Sequence, residues 1–143
     1  MAHQLKKNGK FSYLDQGEGT PIIVLHGLMG GLSNFDSVCE FFPKNGYRVI
    51  IPELPLYSLS LIKTNVKTYA NYVADFIKQM GFDEKEVILL GNSLGGHIGL
   101  LCTRLHPQLV KGLVITGSSG LYESAMGDSY PKRNNYDYIK KKA

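Results

Sequence analysis

The chain has 143 residues, 43% of them hydrophobic and 20% charged. That is the composition of one soluble globular domain rather than a disordered segment. No apolar run approaches the roughly 20 residues of a membrane-spanning helix, and Met1–Lys7 leads into polar residues instead of the apolar stretch of a secretory signal. The net charge of +4 sits in residues 129–143, where Lys132, Arg133, Lys140, Lys141 and Lys142 stand against Asp137 alone. A basic tail of this kind reads as a solvated helix face, so neither a nucleic acid nor a membrane is expected as a partner. Cys39 and Cys102 are too few for a disulfide framework or a thiolate metal site. The expectation is a cytoplasmic chain with reduced thiols, no metal and no cofactor.

Strands and helices alternate along the chain. Lys10–Asp15 reads as a short strand closed by the turn cluster Gln16–Thr20. Pro21–Leu25 is a continuous β-branched apolar run, the pattern of a strand buried on both faces of a parallel sheet. A glycine-rich loop, His26–Gly31, follows it. Ser33 or Asn34 is placed to cap a helix running to about Phe42, and Asn45-Gly46 is placed to stop it.

Tyr47–Ile51 reads as the next strand, ended by Pro52 and Pro55, and Leu56–Val66 as irregular chain. Val66, Tyr69, Ala70, Val73, Phe76, Ile77 and Met80 recur at three- and four-residue steps and form one helix face, closed by Gly81. Glu86–Leu90 is a further buried strand. Leu94, Ile98, Leu101, Cys102 and Leu105 mark a helix stopped before Pro107, and Leu109–Thr116 is a last strand. This alternation predicts an α/β fold: about five strands in a mostly parallel, twisted sheet with helices on both faces. Residues 1–121 form the core. Residues 122–143 read as the start of a cap or lid, or as a flexible basic tail, with a possible short helix over 136–142.

The chemistry lies in Gly91-Asn92-Ser93-Leu94-Gly95, a Gly-x-Ser-x-Gly pattern placed after a predicted strand and before a predicted helix. Small residues there permit a tight turn with a strained central residue. That turn lifts the serine oxygen above the carboxyl end of the sheet. A P-loop needs Gly-Lys-Ser/Thr, and Gly95-Gly96-His97 does not supply it. Gly27–Gly31 does not fit the dinucleotide fingerprint either.

Together with His26-Gly27 after the preceding buried strand, the motif resembles the α/β-hydrolase family, in its serine hydrolase and esterase branch. The resemblance covers the amino-terminal half of that fold. It implies Ser93 as nucleophile, the backbone N–H groups of Leu28 and Leu94 as the oxyanion hole, and His26 as support for the oxyanion loop. Glu53–Ser58 stands where the family often has Asp-Leu-Pro-Gly-x-Gly-x-Ser, but lacks the glycines. The family order is serine, then acid, then histidine. After Ser93 only His97 and His106 remain. His97 lies one helical turn on, and His106 lies roughly 18 Å along the helix axis. Neither is placed to act as base, and the strand ending at Thr116 carries no carboxylate.

The implied function is hydrolysis of small ester-type substrates through an acyl-serine, with thioesters, peracid formation and C–C cleavage as less favoured chemistries. The chain itself reads as a truncated piece, lacking acid and base and inactive alone. The alternative is a non-catalytic binding or assembly module, or half of a split enzyme that needs a complementary chain. An uncovered sheet edge or apolar face implies a homo-oligomer.

Overall fold

The computed structural model describes residues 4–26, 35–55 and 65–117. Six strands form one sheet: β1 (Lys6–Asn8), β2 (Phe11–Gln16), β3 (Thr20–Leu25), β4 (Tyr47–Pro52), β5 (Val87–Asn92) and β6 (Val110–Thr116), in the order β1-β2-β4-β3-β5-β6. Three helices connect them: α1 (Asp36–Phe41), α2 (Val66–Gln79) and α3 (Leu94–Leu105). β4, β3, β5 and β6 run parallel, whereas β2 lies antiparallel to both β1 and β4.

The described residues hold six strands, one beyond the about five expected. The additional strand, β1, is Lys6-Lys7-Asn8, with no apolar residue to announce it. It forms because Gly9 and Lys10 fold it back on β2, pairing Lys6 with Tyr13 and Asn8 with Phe11. Gln79 at the end of α2 then clamps it, donating from Nε2 to Asn8 Oδ1 at 2.9 Å. The other strands fall within a residue or two of expectation. α1 ends at Phe41, one residue short: Phe42 keeps helical dihedrals (φ −69°, ψ −39°), and from there the chain tightens into a 3₁₀ turn over Pro43–Asn45. The cap expected at Ser33 or Asn34 lies outside the described residues, as do most of Leu56–Val66, the segment 122–143 and the helix over 136–142.

Strand alternation divides the core into two layers. Ile22 and Val24 of β3 join Leu14, Val49 and Ile51 beneath Phe35 and Cys39 beside and within α1. Ile23 and Leu25 point the other way, joining Phe11, Tyr13, Ile50, Val87 and Leu89 beneath α2 and α3. Those helices contribute Tyr69, Ala70, Val73, Phe76 and Ile77, and Ile98 and Cys102. Ile23, Val24 and Leu25 are fully buried. At about 1.5–3 kcal/mol for each large apolar side chain removed from water, β3 is the strand on which the sheet is organised. α2 is started by Asn65, whose Oδ1 accepts the Thr68 N–H at 2.8 Å.

The strand order singles out one crevice of the sheet. From β3 the chain crosses to β4 on one side, then passes over to β5 on the other and continues outward to β6. Winding therefore reverses between β3 and β5. In open α/β sheets the crevice at the carboxyl ends of the strands flanking such a reversal is the usual ligand site.

Candidate active site

Ser93 stands at that reversal, between the last residue of β5 and the first of α3, with φ 56° and ψ −121°. A positive φ in a residue other than glycine is strained by about 1–3 kcal/mol. The expected conformation of the turn is thus observed. Its two flanking glycines explain how the chain makes it. A Cβ on Gly91 would collide with the Gly95 carbonyl and lie 2.6 Å from Gly96 N. A Cβ on Gly95 would collide with the Leu25 carbonyl oxygen and lie 3.0 Å from His26 O. The first turn of α3 is therefore pressed against the end of β3, and no side chain fits between them.

The Ser93 carbonyl accepts from Gly96 N–H at 3.0 Å and His97 N–H at 3.2 Å. The Leu94 and Gly95 N–H groups have no carbonyl partner among the described residues, as the start of a helix dictates. They point with the positive end of the helix dipole. Ser93 is exposed, and its Oγ has no hydrogen-bond partner among the described residues. The arrangement sets an exposed hydroxyl beside N–H groups that have no carbonyl partner among the described residues.

His26 is 8% exposed, and its Nε2 accepts the Leu54 N–H at 3.2 Å. It thereby ties the segment after β3 to the segment after β4. Its Nε2 is engaged with the backbone. Leu28, the other expected oxyanion donor, lies outside the described residues, as does Gly27. His97 is half-buried on α3. His106 pairs its Nε2 with Asn71 Oδ1 at 2.9 Å, joining the far end of α3 to α2. Neither ring is hydrogen-bonded to Ser93.

One contact at the site was not legible beforehand. Thr116, the last residue of β6, lies opposite Asn92 in the parallel ladder. Its hydroxyl donates toward Asn92 Oδ1 at 3.2 Å, and its carbonyl accepts the Ser93 N–H at 3.3 Å. Only the register of β5 on β6 brings these residues together, and no local motif announces it.

Other features lie away from this crevice. Cys39 and Cys102 are free and buried, and burial pushes the Cys102 thiol up to about 12. A groove of about 430 Å³ lined by Lys6, Asp15, Gly17, Glu18, Gly19 and Arg48 opens at the amino end of β3 and β4, the wrong end of the sheet for Ser93. Its main charges satisfy each other, because Arg48 holds Asp15 in a two-pronged pair at 2.9 and 2.7 Å. Among the described residues no group of three or more His, Cys, Asp or Glu side chains is placed to hold a metal ion. No described helix is long and apolar enough to cross a membrane.

Comparison with known proteins agrees with this geometry. A hydrolase of 2-hydroxy-6-oxo-6-(2'-aminophenyl)hexa-2,4-dienoic acid from Metapseudomonas resinovorans is 35% identical over 134 residues, covering 90% of this chain and 45% of that protein. An sn-1-specific diacylglycerol lipase from Danio rerio is 30% identical over 112 residues, covering 77% of this chain and 35% of the lipase. The chain thus spans less than half the length of either curated relative. A crystal structure of an alpha/beta hydrolase enzyme from the metagenome of sediments of the Mar Chica lagoon, Morocco, superposes with a TM-score of 0.78 at 55% identity, covering 97% of this chain and 62% of that one. The family described as alpha/beta hydrolase fold matches residues 20–142, and the chain belongs to it.

Proposed function

We propose that this chain carries the nucleophilic half of a serine hydrolase acting on ester-type carbonyl compounds. The observation that carries the reading is Ser93 itself, strained at positive φ, exposed at the winding reversal and followed by two amides with no carbonyl partner among the described residues. Ser93 Oγ attacks the carbonyl carbon while a base takes its proton. The carbonyl oxygen becomes an oxyanion held by the Leu94 N–H and, by the family pattern, the Leu28 N–H. Each such donor is worth about 3–4 kcal/mol to the transition state. The intermediate expels the alcohol, which receives the proton from the base, and the acyl-serine is then hydrolysed by water. Ester hydrolysis is the first reading. C–C cleavage next to a carbonyl is the second, favoured by the 35% identity to the dienoic acid hydrolase. Neither needs a metal or cofactor.

No side-chain base is hydrogen-bonded to Ser93 among the described residues, and the family places acid and histidine later in the chain than the serine. We therefore assign both to sequence outside these 143 residues, and expect the chain alone to turn over little. Well-studied triads that lose a member keep roughly 10³–10⁴-fold over water, from the oxyanion hole and binding. The reading also places the chain in the cytoplasm and includes self-association through the β6 side of the sheet, where Val114 is 45% exposed.

The test is p-nitrophenyl acetate hydrolysis and fluorophosphonate labelling of wild type and Ser93→Ala, each with and without the carboxy-terminal segment of a full-length relative. Labelling that appears with the added segment and vanishes in Ser93→Ala supports the reading. Strong labelling of the chain alone would show a base within it. No labelling in either setting would favour a non-catalytic assembly module.

A further inference from the structure

The elbow needs something to hold it from the β6 side. Gly91 and Gly95 explain why the turn can form, and the contact of Gly95 with Leu25 braces it from β3. On the opposite side the ladder between β5 and β6 ends at the pair Asn92–Thr116, and the chain leaves at Gly117 with φ 70°. Two hydrogen bonds close this end. The Ser93 N–H donates to the Thr116 carbonyl at 3.3 Å, a bond available to any residue at 116. The Thr116 hydroxyl has two acceptors in reach, Asn92 Oδ1 at 3.2 Å and Gly91 O at 3.5 Å. That second link depends on the side chain. It joins β6 to the two residues immediately before Ser93.

We infer that Thr116 is a positioning residue for Ser93, its hydroxyl latching Asn92 and Gly91 to the end of β6 so that the strained turn keeps its geometry. The inference rests on the reading of Ser93 as nucleophile and adds a residue far from it in sequence. Two single bonds, one from the main chain and one from the side chain, restrain the turn more tightly than either alone. The main-chain bond acts on the peptide unit that enters Ser93, and the hydroxyl acts one step earlier, on the Asn92 side chain and the Gly91 carbonyl. A β-branched residue suits the strand end, but valine would serve that need equally. The hydroxyl is the part that reaches the elbow.

The experiment compares wild type, Thr116→Val and Thr116→Ser in the full 143-residue chain. Amide hydrogen exchange is read residue by residue by NMR, and the Leu89 and Ile98 amides in β5 and α3 report global opening. Thr116→Val keeps the branched shape and the carbonyl and removes only the hydroxyl. Exchange at the Ser93 amide is expected to speed up about threefold to tenfold relative to Leu89 and Ile98, with a displaced Ser93 amide resonance. Thr116→Ser is expected to restore both. If Ser93 exchange changes only in step with the reference amides in Thr116→Val, or if Thr116→Ser behaves like the valine variant, the latch is overturned. Fluorophosphonate labelling against Ser93→Ala decides the nucleophile reading separately, so the two ideas fail by different signals.

Discussion

Replacing Gly95 by alanine sets two magnitudes against each other. Gly95 is the second residue of α3, where alanine is the better helix former by about 1 kcal/mol. Its Cβ, however, would lie 2.6 Å from the Leu25 carbonyl carbon and closer still to the oxygen, with His26 O at 3.0 Å. These are backbone atoms of the buried carboxyl end of β3 and of the residue after it, and cannot rotate away. Overpacking of this kind costs about 3 kcal/mol, the upper end of the usual range. The net loss is about 2 kcal/mol, and for a chain of this size Tm falls by about 4–8 °C. Two other glycines calibrate the argument. A Cβ on Gly99 meets only side-chain atoms, the two nearest being the ends Leu113 Cδ1 at 3.1 Å and Leu25 Cδ1 at 3.4 Å, with Leu89 Cβ in ordinary contact at 4.0 Å, so Gly99→Ala is expected near neutral. A Cβ on Gly112 meets nothing within 4 Å, and Gly112→Ala is expected to leave stability unchanged or raise it slightly. Thermal unfolding followed by circular dichroism, with urea titration for ΔG, checks the series. A Gly95→Ala variant as stable as wild type, or a Gly112→Ala variant equally damaged, would refute the steric reasoning.

Three other outcomes are expected. His26→Ala leaves the buried Leu54 N–H without its acceptor and destabilises by about 1–3 kcal/mol in urea unfolding; His26→Gln, which restores a side-chain acceptor, recovers part of it. Cys102 ionises near 9 when unfolded but only at about 12 when folded, because burial disfavours the thiolate. Its contribution is complete below pH 9 and is lost as pH rises from there, at about 1.4 kcal/mol per pH unit, and ΔG measured against pH in Cys102→Ala should lack that slope. Sedimentation at tens of micromolar is expected to show a dimer or larger assembly, and Val114→Lys, which places a charge on an exposed β6 position, should shift it toward monomer.

The parts of this fold that were legible in the sequence are those with a local physical cause. Pro21–Leu25 announced β3 because burial on both faces demands an unbroken apolar run. The Val66–Met80 periodicity announced α2 because one helix face meets the sheet. The elbow was legible because its crowded turn demands glycine at fixed offsets from the serine. What stayed hidden was set by pairing at long range. β1 is polar and exists through its hairpin and through Gln79. The antiparallel setting of β2 against β4 leaves no trace in the composition of either strand. The approach of Gly95 to Leu25, the tether from His26 to Leu54 and the Asn92–Thr116 pair all join residues that only the folded topology makes neighbours.

The central position of β3 has a consequence for synthesis. Its partner on one side is β5, which pairs Ile22 with Ile88 and Val24 with Leu90. The entropic cost of closing so long a loop grows only slowly with its length, but the rate of closure suffers. During translation the segment Ile22–Leu25 emerges about 3–12 s before β5 does. Through that interval a strand with five buried residues has β4 at most on one edge and bare N–H and C=O groups on the other. The nascent chain thus presents an apolar surface to the cell before it possesses the strand that hides it, and yield on expression will follow how well chaperones or slow dilution protect that edge.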